Sequence, residues 1–393
     1  MDFINKLKLF NTNYDIIKKN IKKSVAKKMI KTGQGGSNNI IIISDDYALK
    51  IIPNIINKTY KIQADNDLKE VLFYRLFTNE FIDNNITLHI VGLYKKYNIG
   101  INDVLPHKCL TLDEQIMLPR NKINYDMEKL CYVKKLYEKK FVENSAIVLV
   151  LEKCETTISD MFKELMLSKK RTKAVEFKIE LRRIIFQLVF TLAVIQDKYP
   201  NFIHNDLFLR NILAINEYMH NINDYIEYIY DNRSYYLPAN GLFIKINDFG
   251  YSLNLPTIKS SLVDDIKNSV DNSFEIKNNK RDLWTFFYDL YNGANMGSYS
   301  ILSLINSNIK NIDTRKVFIS ILQSEIGRFF DYKIIDKINK KNLGILDRQW
   351  SIAESKMLKN IVKIPKKYFE DNTFNYFSKL PPNGRIVHVF NQN

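Results

Sequence analysis

Short apolar runs separated by turn residues dominate one early part of the chain. Residues 40–43 are four consecutive isoleucines, a Ser-Asp-Asp turn follows at 44–46, and the apolar run resumes over residues 47–52. Runs of β-branched residues bounded by turn residues predict strands. We therefore expect a strand, a glycine-rich loop, a second strand, a tight turn and a third strand here. Residues 147–151, Ile-Val-Leu-Val-Leu, predict a further short, buried strand.

Helical periodicity appears in four other segments, residues 14–31, 65–82, 156–200 and about 281–291, and further helices follow toward the C-terminus. The expected buried faces are Ile17, Ile21, Val25 and Met29 in the first segment, Leu68, Val71, Leu72 and Leu76 in the second, and Ile184, Ile185, Leu188, Val189 and Leu192 in the third. A strand-rich part followed by a larger helical part predicts an α+β protein with two lobes, a small β-rich one and a larger helical one.

Composition adds a strong positive charge to this picture. The 393 residues carry a net charge of +15, and nine lysines against Asp2 and Asp15 fall within residues 1–31. Such a segment attracts acidic partners, whether an anionic membrane, nucleic acid or an acidic protein. An amphipathic basic helix over residues 14–31 could lie on anionic lipid or could cap a lobe of the protein. Beyond this charge, no pattern indicates nucleic-acid binding.

The cysteines and the apolar runs indicate in which compartment of the cell the protein is found. Cys109, Cys131 and Cys154 show neither disulfide-type spacing nor histidine partners at metal-ligand spacing, so we expect free thiols in a reducing compartment. The longest apolar run, around residues 184–195, is interrupted by Gln187 and is too short to span a bilayer. No signal peptide is apparent. We expect a cytoplasmic protein.

The most informative stretch is residues 202–213, which place His204, Asp206 and Asn211 between apolar residues. A second acidic motif, Asp248-Phe249-Gly250, follows 37 residues after Asn211. Phosphoryl transfer from a nucleotide requires a carboxylate that receives a proton, an amide that binds a metal ion and a second carboxylate for that ion. The two motifs in this order supply these three groups.

The spacing His-x-Asp-x-x-x-x-Asn followed by Asp-Phe-Gly resembles the catalytic and metal-binding loops of the protein kinases, and the resemblance covers residues 30–290. It implies ATP and Mg²⁺ as cofactors and a protein hydroxyl, of Ser or Thr, as substrate. Asp206 would accept or orient the hydroxyl proton, Asn211 and Asp248 would hold Mg²⁺, and His204 would be structural.

The resemblance also assigns roles in the small lobe. Lys50 would contact the α- and β-phosphates, and Glu70, with Asp67 one helical turn away as the alternative, would pair with Lys50. The adenine pocket would be gated by Leu151. The remaining nucleotide-binding residues implied are Gly33, Gly35, Gly36 and Ile40 around the glycine-rich loop, where Asn38 stands in place of a third glycine, and the backbone near Glu152 and Cys154 in the hinge.

Three departures from the family pattern concern catalysis and regulation. Phe208 stands where serine/threonine kinases place a lysine, so Arg210 is the candidate cation for the γ-phosphate. Tyrosine kinases often have an arginine at the position of Arg210. The choice between Ser/Thr and Tyr hydroxyls therefore stays open. Asn205 replaces the Arg that normally binds a phosphorylated activation loop. No Ala-Pro-Glu occurs between Gly250 and Arg281. Asp282, by contrast, resembles the buried Asp that supports the catalytic loop.

The numbers of residues between the motifs, compared with those typical of the family, imply three parts. These are a basic extension (1–24), an N-lobe (25–153) with an insertion at about 95–143, and a C-lobe (154–393) with an insertion at about 216–240. Together these features resemble the divergent serine/threonine kinases of poxviruses and giant DNA viruses. A viral protein would act in the host cytoplasm or be packaged in the virion.

Two other functions fit parts of the pattern. Small-molecule kinases of the choline or aminoglycoside type share the fold, and His204-Asn205-Asp206 resembles a segment of choline kinases. A pseudokinase scaffold could use the basic surface and the insertions. The sequence leaves the physiological substrate and the oligomeric state open.

Overall fold

The computed structural model describes residues 14–26, 31–32, 39–56, 61–106, 109, 125–167, 173–217, 221–252, 280–291, 300–333 and 362–392. The described chain forms two compact units. Unit 1 takes its residues from 1–79 and 91–153, and unit 2 from 80–90 and 154–393. Both helices and sheets are present, which confirms the predicted α+β class.

Unit 1 is built on an antiparallel sheet. Its strands, in spatial order, are β1 (Lys31–Thr32), β2 (Ile40–Ile43), β3 (Tyr47–Ile55), β5 (Val142–Glu152) and β4 (Leu93–Ile99). The predicted β2–β3 hairpin forms, and the Ser44 amide donates to the Tyr47 carbonyl at 2.9 Å. β5 pairs with β3 on one side and β4 on the other, which explains why its residues 147–151 are continuously apolar.

One face of this sheet is covered by helices α1 (Tyr14–Ala26) and α3 (Tyr125–Glu138). Ile17 and Ile21 of α1 are fully buried in the core cluster, and burying an isoleucine contributes roughly 1.5–3 kcal/mol. The apolar face of α1 therefore caps unit 1, the second of the two roles considered for it. Val25 and Met29, the rest of the predicted stripe, lie outside the side chains that the structure describes.

The other face carries helix α2 (Lys61–Phe77), which continues as a π-helical turn over Thr78–Ile82. The predicted buried face of this helix is partly wrong, because Leu72 is 42% exposed. Val71 is buried as predicted, and the other buried residues here are Glu70, Phe73, Tyr74 and Phe77. The larger aromatic side chains set the rotation of the helix, and they bring Glu70 inward.

The first predicted insertion starts later than expected. Residues 93–99 are β4, an integral strand of the sheet, so the extra segment lies between the end of β4 and the start of β5 at Val142. Its described part, a 3₁₀ turn (Ile101–Asp103) and α3, packs into the core of unit 1. The insertion thus completes the hydrophobic core of the unit.

The prediction of three free thiols is wrong for two of them. Cys109 and Cys131 form a disulfide, with their Cα atoms 5.7 Å apart. Cys131 lies on α3, and the 22-residue separation between the two cysteines carried no pairing signal in the sequence. Cys154 is a free cysteine.

Unit 2 is built around a long buried helix. Its helices are α4 (Ile158–Leu167), α5 (Lys173–Lys198), α6 (Arg281–Tyr291), α7 (Ile301–Asn308), α8 (Ile312–Ile326) and α9 (Pro365–Glu370). The predicted helix at 156–200 is therefore two helices, α4 and α5. All five predicted apolar positions of α5 are buried. No helix in the described ranges has the length and hydrophobicity needed to cross a membrane.

The second predicted insertion is a folded hairpin. β8 (Asp224–Tyr230) pairs with β9 (Arg233–Pro238) on one edge and, in parallel, with the C-terminal strand β11 (Arg385–Asn391) on the other. The ring of Tyr228 packs edge-on against Phe186 of α5, with centroids 5.2 Å apart. Three tyrosines of this segment, Tyr228, Tyr230 and Tyr235, are buried and pack against the phenylalanines of α5.

A second small sheet carries the loop before β7, which contains Asp206, and the loop after β10, which contains Asp248. β7 (Ile212–Glu217) lies between β6 (Thr156–Thr157) and β10 (Gly241–Ile246). The amide of Gln187, the polar residue that interrupts the apolar run of α5, donates to the Leu242 carbonyl and accepts from the Ile244 amide, both at 3.0 Å. Residues 80–90, assigned to the N-lobe from sequence, belong to unit 2, since the His89 carbonyl accepts from the Ile246 amide at 2.9 Å.

Candidate active site

Unit 1 contains a buried ion pair. The Lys50 ammonium on β3 lies 2.5 Å from the Glu70 carboxylate on α2, and their side chains are 8% and 1% exposed. The structure therefore pairs Lys50 with Glu70, as predicted, and not with Asp67, whose side chain lies outside the described set. A buried lysine is held in one place by such a partner, because an isolated charge there would be costly.

The strand register decides which neighbours share the face of Lys50. Lys50 is opposite Ile41 on β2 and Leu149 on β5, so Leu151, two residues further along β5, is on that face too. Its role at the adenine pocket stays a prediction. Ile40 is opposite Ile51 and packs into the core cluster on the other face. Because side chains alternate along a strand, Ile41 shares the face of Lys50 and Ile40 does not, so the register does not support the predicted role of Ile40 at the nucleotide.

In the segment predicted to be the hinge, Glu152 is hydrogen-bonded to Gly92. The Glu152 amide donates to the Gly92 carbonyl at 2.8 Å, and the Glu152 carboxylate accepts from the Gly92 amide at 3.2 Å. The Glu152 amide thus already has a partner within the protein, and the predicted adenine contact of the backbone near Glu152 and Cys154 stays a prediction. Gly33, Gly35, Gly36 and Asn38 lie outside the described residues, as does the segment 253–279, in which Ala-Pro-Glu is missing.

Unit 2 contains the carboxylate of Asp206, which is held by two side chains. Nη2 of Arg210 donates to both Asp206 oxygens, at 3.0 and 3.1 Å. Nδ2 of Asn211 donates to Asp206 Oδ2 at 2.8 Å and to the Asp206 backbone carbonyl at 2.7 Å. The predicted base, cation and metal ligand of this loop are thus in direct contact.

Hydrogen bonds also join this loop to the Asp248 motif. Nε2 of His204 donates to the Asn247 carbonyl at 3.0 Å, Nδ2 of Asn205 donates to the Tyr251 carbonyl at 3.2 Å, and the Asn247 amide donates to the Asn211 carbonyl at 2.9 Å. The His204 ring packs on Phe249, with centroids 5.2 Å apart. These contacts confirm the structural role predicted for His204.

Two buried aspartates of α6 anchor the catalytic loop. Asp282 accepts from the His204 and Asn205 amides at 2.7 and 2.9 Å, as predicted, and Asp289 accepts from the Leu209 amide at 2.7 Å. Burial raises the pKa of Asp282, while the His204 ring, the two amide hydrogen bonds and Arg281 oppose that rise. Sequence reasoning missed Asp289, although two aspartates seven residues apart on an apolar helix share one face.

The donor set fits Mg²⁺. Both hydrogen-bond contacts of the Asn211 side chain use Nδ2, which leaves its amide oxygen, the atom that can ligate a cation. Asp248 supplies a carboxylate from a residue with φ 64°, a conformation that Asp tolerates better than most residues. Among the described residues no group of three or more His, Cys, Asp or Glu side chains could hold a metal. Mg²⁺ is typically bound by one or two protein ligands plus substrate phosphates.

Comparison with known proteins gives an independent result. No protein-family model matches the chain. The chain is 35% identical over 384 residues to a protein of Acanthamoeba polyphaga mimivirus named "putative serine/threonine-protein kinase", and the match covers 93% of this chain and 92% of the viral protein. A second mimivirus protein with the same kind of name is 39% identical over 71 residues, which are 18% of this chain and 15% of that protein. On this identity and coverage, the chain belongs to the protein kinase family, and it is similar to members of that family from a giant DNA virus.

Proposed function

We propose that the protein is a Mg²⁺·ATP-dependent kinase that phosphorylates Ser or Thr hydroxyls of protein substrates. The observation that carries the proposal is the Asp206 carboxylate, buried and held by Arg210 and Asn211 in a loop that α6 anchors at three amides. Fixed orientation of the groups around a reacting hydroxyl is the main contribution that a protein makes to phosphoryl transfer.

In this reaction Asp206 accepts or orients the proton of the acceptor hydroxyl. The hydroxyl oxygen forms a bond to the γ-phosphorus of ATP, the bond from that phosphorus to the bridging oxygen breaks, and ADP leaves. Lys50, held by Glu70, would contact the α- and β-phosphates. Asn211 and Asp248 would hold Mg²⁺, which neutralises phosphate charge.

The choice of Ser and Thr over other acceptors is supported by the names of the two mimivirus relatives. The experiment is transfer of labelled phosphate from ATP, in parallel, to a basic protein, an acidic protein and choline, followed by phosphoamino-acid analysis. Phosphoserine and phosphothreonine are the expected products. Phosphotyrosine alone would contradict the acceptor class, phosphocholine would assign the protein to the small-molecule kinases, and no transfer to any acceptor would favour the scaffold.

A further inference from the structure

The Arg210 guanidinium rests on an aromatic ring. Its Cζ lies 4.4 Å from the centroid of the Phe208 ring, two residues earlier in the same loop. Phe208 is half-buried. A planar guanidinium stacked on an aromatic face is both attracted to it and restricted in rotation.

The same guanidinium has a donor that the protein does not use. Nη2 is occupied by Asp206, whereas Nη1 is buried and has no hydrogen-bond partner within the described part of the chain. A buried donor without a partner is unfavourable, and anionic oxygens are the acceptors that guanidinium groups bind best. Nη1 therefore indicates a ligand oxygen beside Asp206.

The backbone sets the position of the ring. The Phe208 amide donates to the Asp206 carbonyl, and the Phe208 carbonyl accepts from the Asn211 amide, both at 2.9 Å. The backbone of Phe208 is thus hydrogen-bonded to both Asp206 and Asn211, which fixes the point from which its ring extends to Arg210. An apolar ring cannot bind phosphate itself, so its contribution must act through Arg210.

We propose that Phe208 is a positioning residue that holds Arg210 so that Nη1 donates to an oxygen of the transferred phosphoryl group. This inference rests on the proposed function and deepens it. The arginine bridges the carboxylate of Asp206 and the phosphoryl group, and the ring keeps it from rotating away from the phosphate.

The test compares Phe208→Leu, which removes the ring, with Phe208→Tyr, which keeps it, measuring kcat, the KM for ATP and the melting temperature. We expect Phe208→Leu to lower kcat about tenfold with little change in KM, as loss of a desolvated cation–π contact predicts. Phe208→Tyr should retain wild-type kcat. Arg210→Lys keeps the charge but loses the planar stack on the ring. It should lower kcat at least as much as Phe208→Leu does.

Tyr376→Leu is the matched control, because it removes the ring 4.5 Å from Arg182 elsewhere in unit 2. It should leave kcat unchanged even if the melting temperature falls. Wild-type kcat in Phe208→Leu, or equal losses in the Leu and Tyr variants, would overturn the positioning role while leaving phosphotransfer by the wild type intact. Absence of phosphotransfer by the wild type would overturn the proposed function, and this inference with it.

Discussion

At the scale of single residues, the site depends on short-range hydrogen bonds that hold backbone in unusual conformations. Asn205 and Asp248, on the two loops, both have positive φ, 66° and 64°. Asn and Asp are the non-glycine residues that adopt this region most readily. Sequence reasoning identified Lys50, Glu70, Asp206, Asn211 and Asp282 because each belongs to a motif with local spacing. It did not show which face of β2 Ile40 occupies, because that depends on the register between β2 and β3.

Removing either anchor of the catalytic loop should slow catalysis. Asp282→Asn cannot accept from both the His204 and Asn205 amides, and Asp289→Asn weakens the bond to Leu209. Hydrogen bonds to charged groups are worth about 1.5–3 kcal/mol, so we expect kcat to fall roughly tenfold to a hundredfold. Asp313→Asn is the control, since Asp313 also lies in the first turn of a helix but is 91% exposed. Equal losses in Asp313→Asn would refute the anchoring account.

Asn205 leads to a prediction about regulation. Its side chain bonds the Tyr251 carbonyl directly, where the usual arginine of the family would bind a phosphorylated activation loop. The link between the two loops therefore needs no phosphate. We expect phosphatase treatment to leave kcat unchanged, as measured on protein whose dephosphorylation is verified by mass spectrometry. A large loss of activity would show that phosphorylation is required.

At the scale of elements, periodicity predicted the helices and strands that have a strong apolar pattern, such as α5, β2 and β5. It could not predict that residues 224–238 form a sheet with residues 385–391, because that pairing joins segments about 160 residues apart. The buried Asp224 carboxylate fixes the pairing by accepting from Arg385 at 2.9 and 3.0 Å. Long loops in a family comparison can thus be folded elements whose partners lie far along the chain.

The first residue of β10, Gly241, must be a glycine. Gly241 has φ +135°, and a Cβ at this position would overlap the guanidinium of Arg183, which is 3% exposed. We expect Gly241→Ala to lower the free energy of unfolding by roughly 1–3 kcal/mol, since both backbone strain and the displaced arginine contribute. Gly100→Ala is the control, because its nearest neighbours would be at ordinary distances of 3.7 and 3.9 Å. Urea unfolding of both variants tests this, and equal stability would contradict it.

His89 makes the stability of unit 2 dependent on pH. Its Nδ1 donates to the Ile244 carbonyl at 3.1 Å, so its Nε2 accepts from the Tyr228 hydroxyl at 2.8 Å and the ring is neutral. Burial, and then the charge of Lys245, lower its pKa from 6.5 to about 3, against the opposing hydrogen bond to Ile244. The unfolded chain therefore binds a proton in this range that the folded chain does not bind, and stability falls as the pH drops below 6.5.

Between pH 7 and pH 5 this single group should reduce the free energy of unfolding by about 2 kcal/mol. His89→Gln removes the titrating ring and should lose less stability over the same interval. The other histidines are common to both proteins, so the difference in urea unfolding between the two pH values isolates His89. Identical pH dependence in wild type and variant would contradict the assignment.

At the scale of the whole molecule, charge and cysteine content were the weakest guides. Two lysines of the basic N-terminal segment, Lys18 and Lys22, pair with Asp103 at 2.8 and 3.1 Å. Burial raises the pKa of Asp103, but hydrogen bonds from these lysines outweigh it and hold the pKa below its usual value. Part of the positive charge of the N-terminal segment is therefore paired with Asp103 within unit 1. The Cys109–Cys131 disulfide also lies within unit 1. Neither contact has a local sequence signature, because each joins residues that are well separated along the chain.

The account rests on Asp206 as the group that receives or orients the acceptor proton. The most direct test is the rate of phosphate transfer from labelled ATP by wild type and by Asp206→Asn, with Asp313→Asn as the matched surface control. General-base catalysis contributes about 10²–10⁴-fold, so Asp206→Asn should lose at least a hundredfold in kcat while Asp313→Asn keeps the wild-type rate. Wild-type phosphotransfer in folded Asp206→Asn would contradict the account.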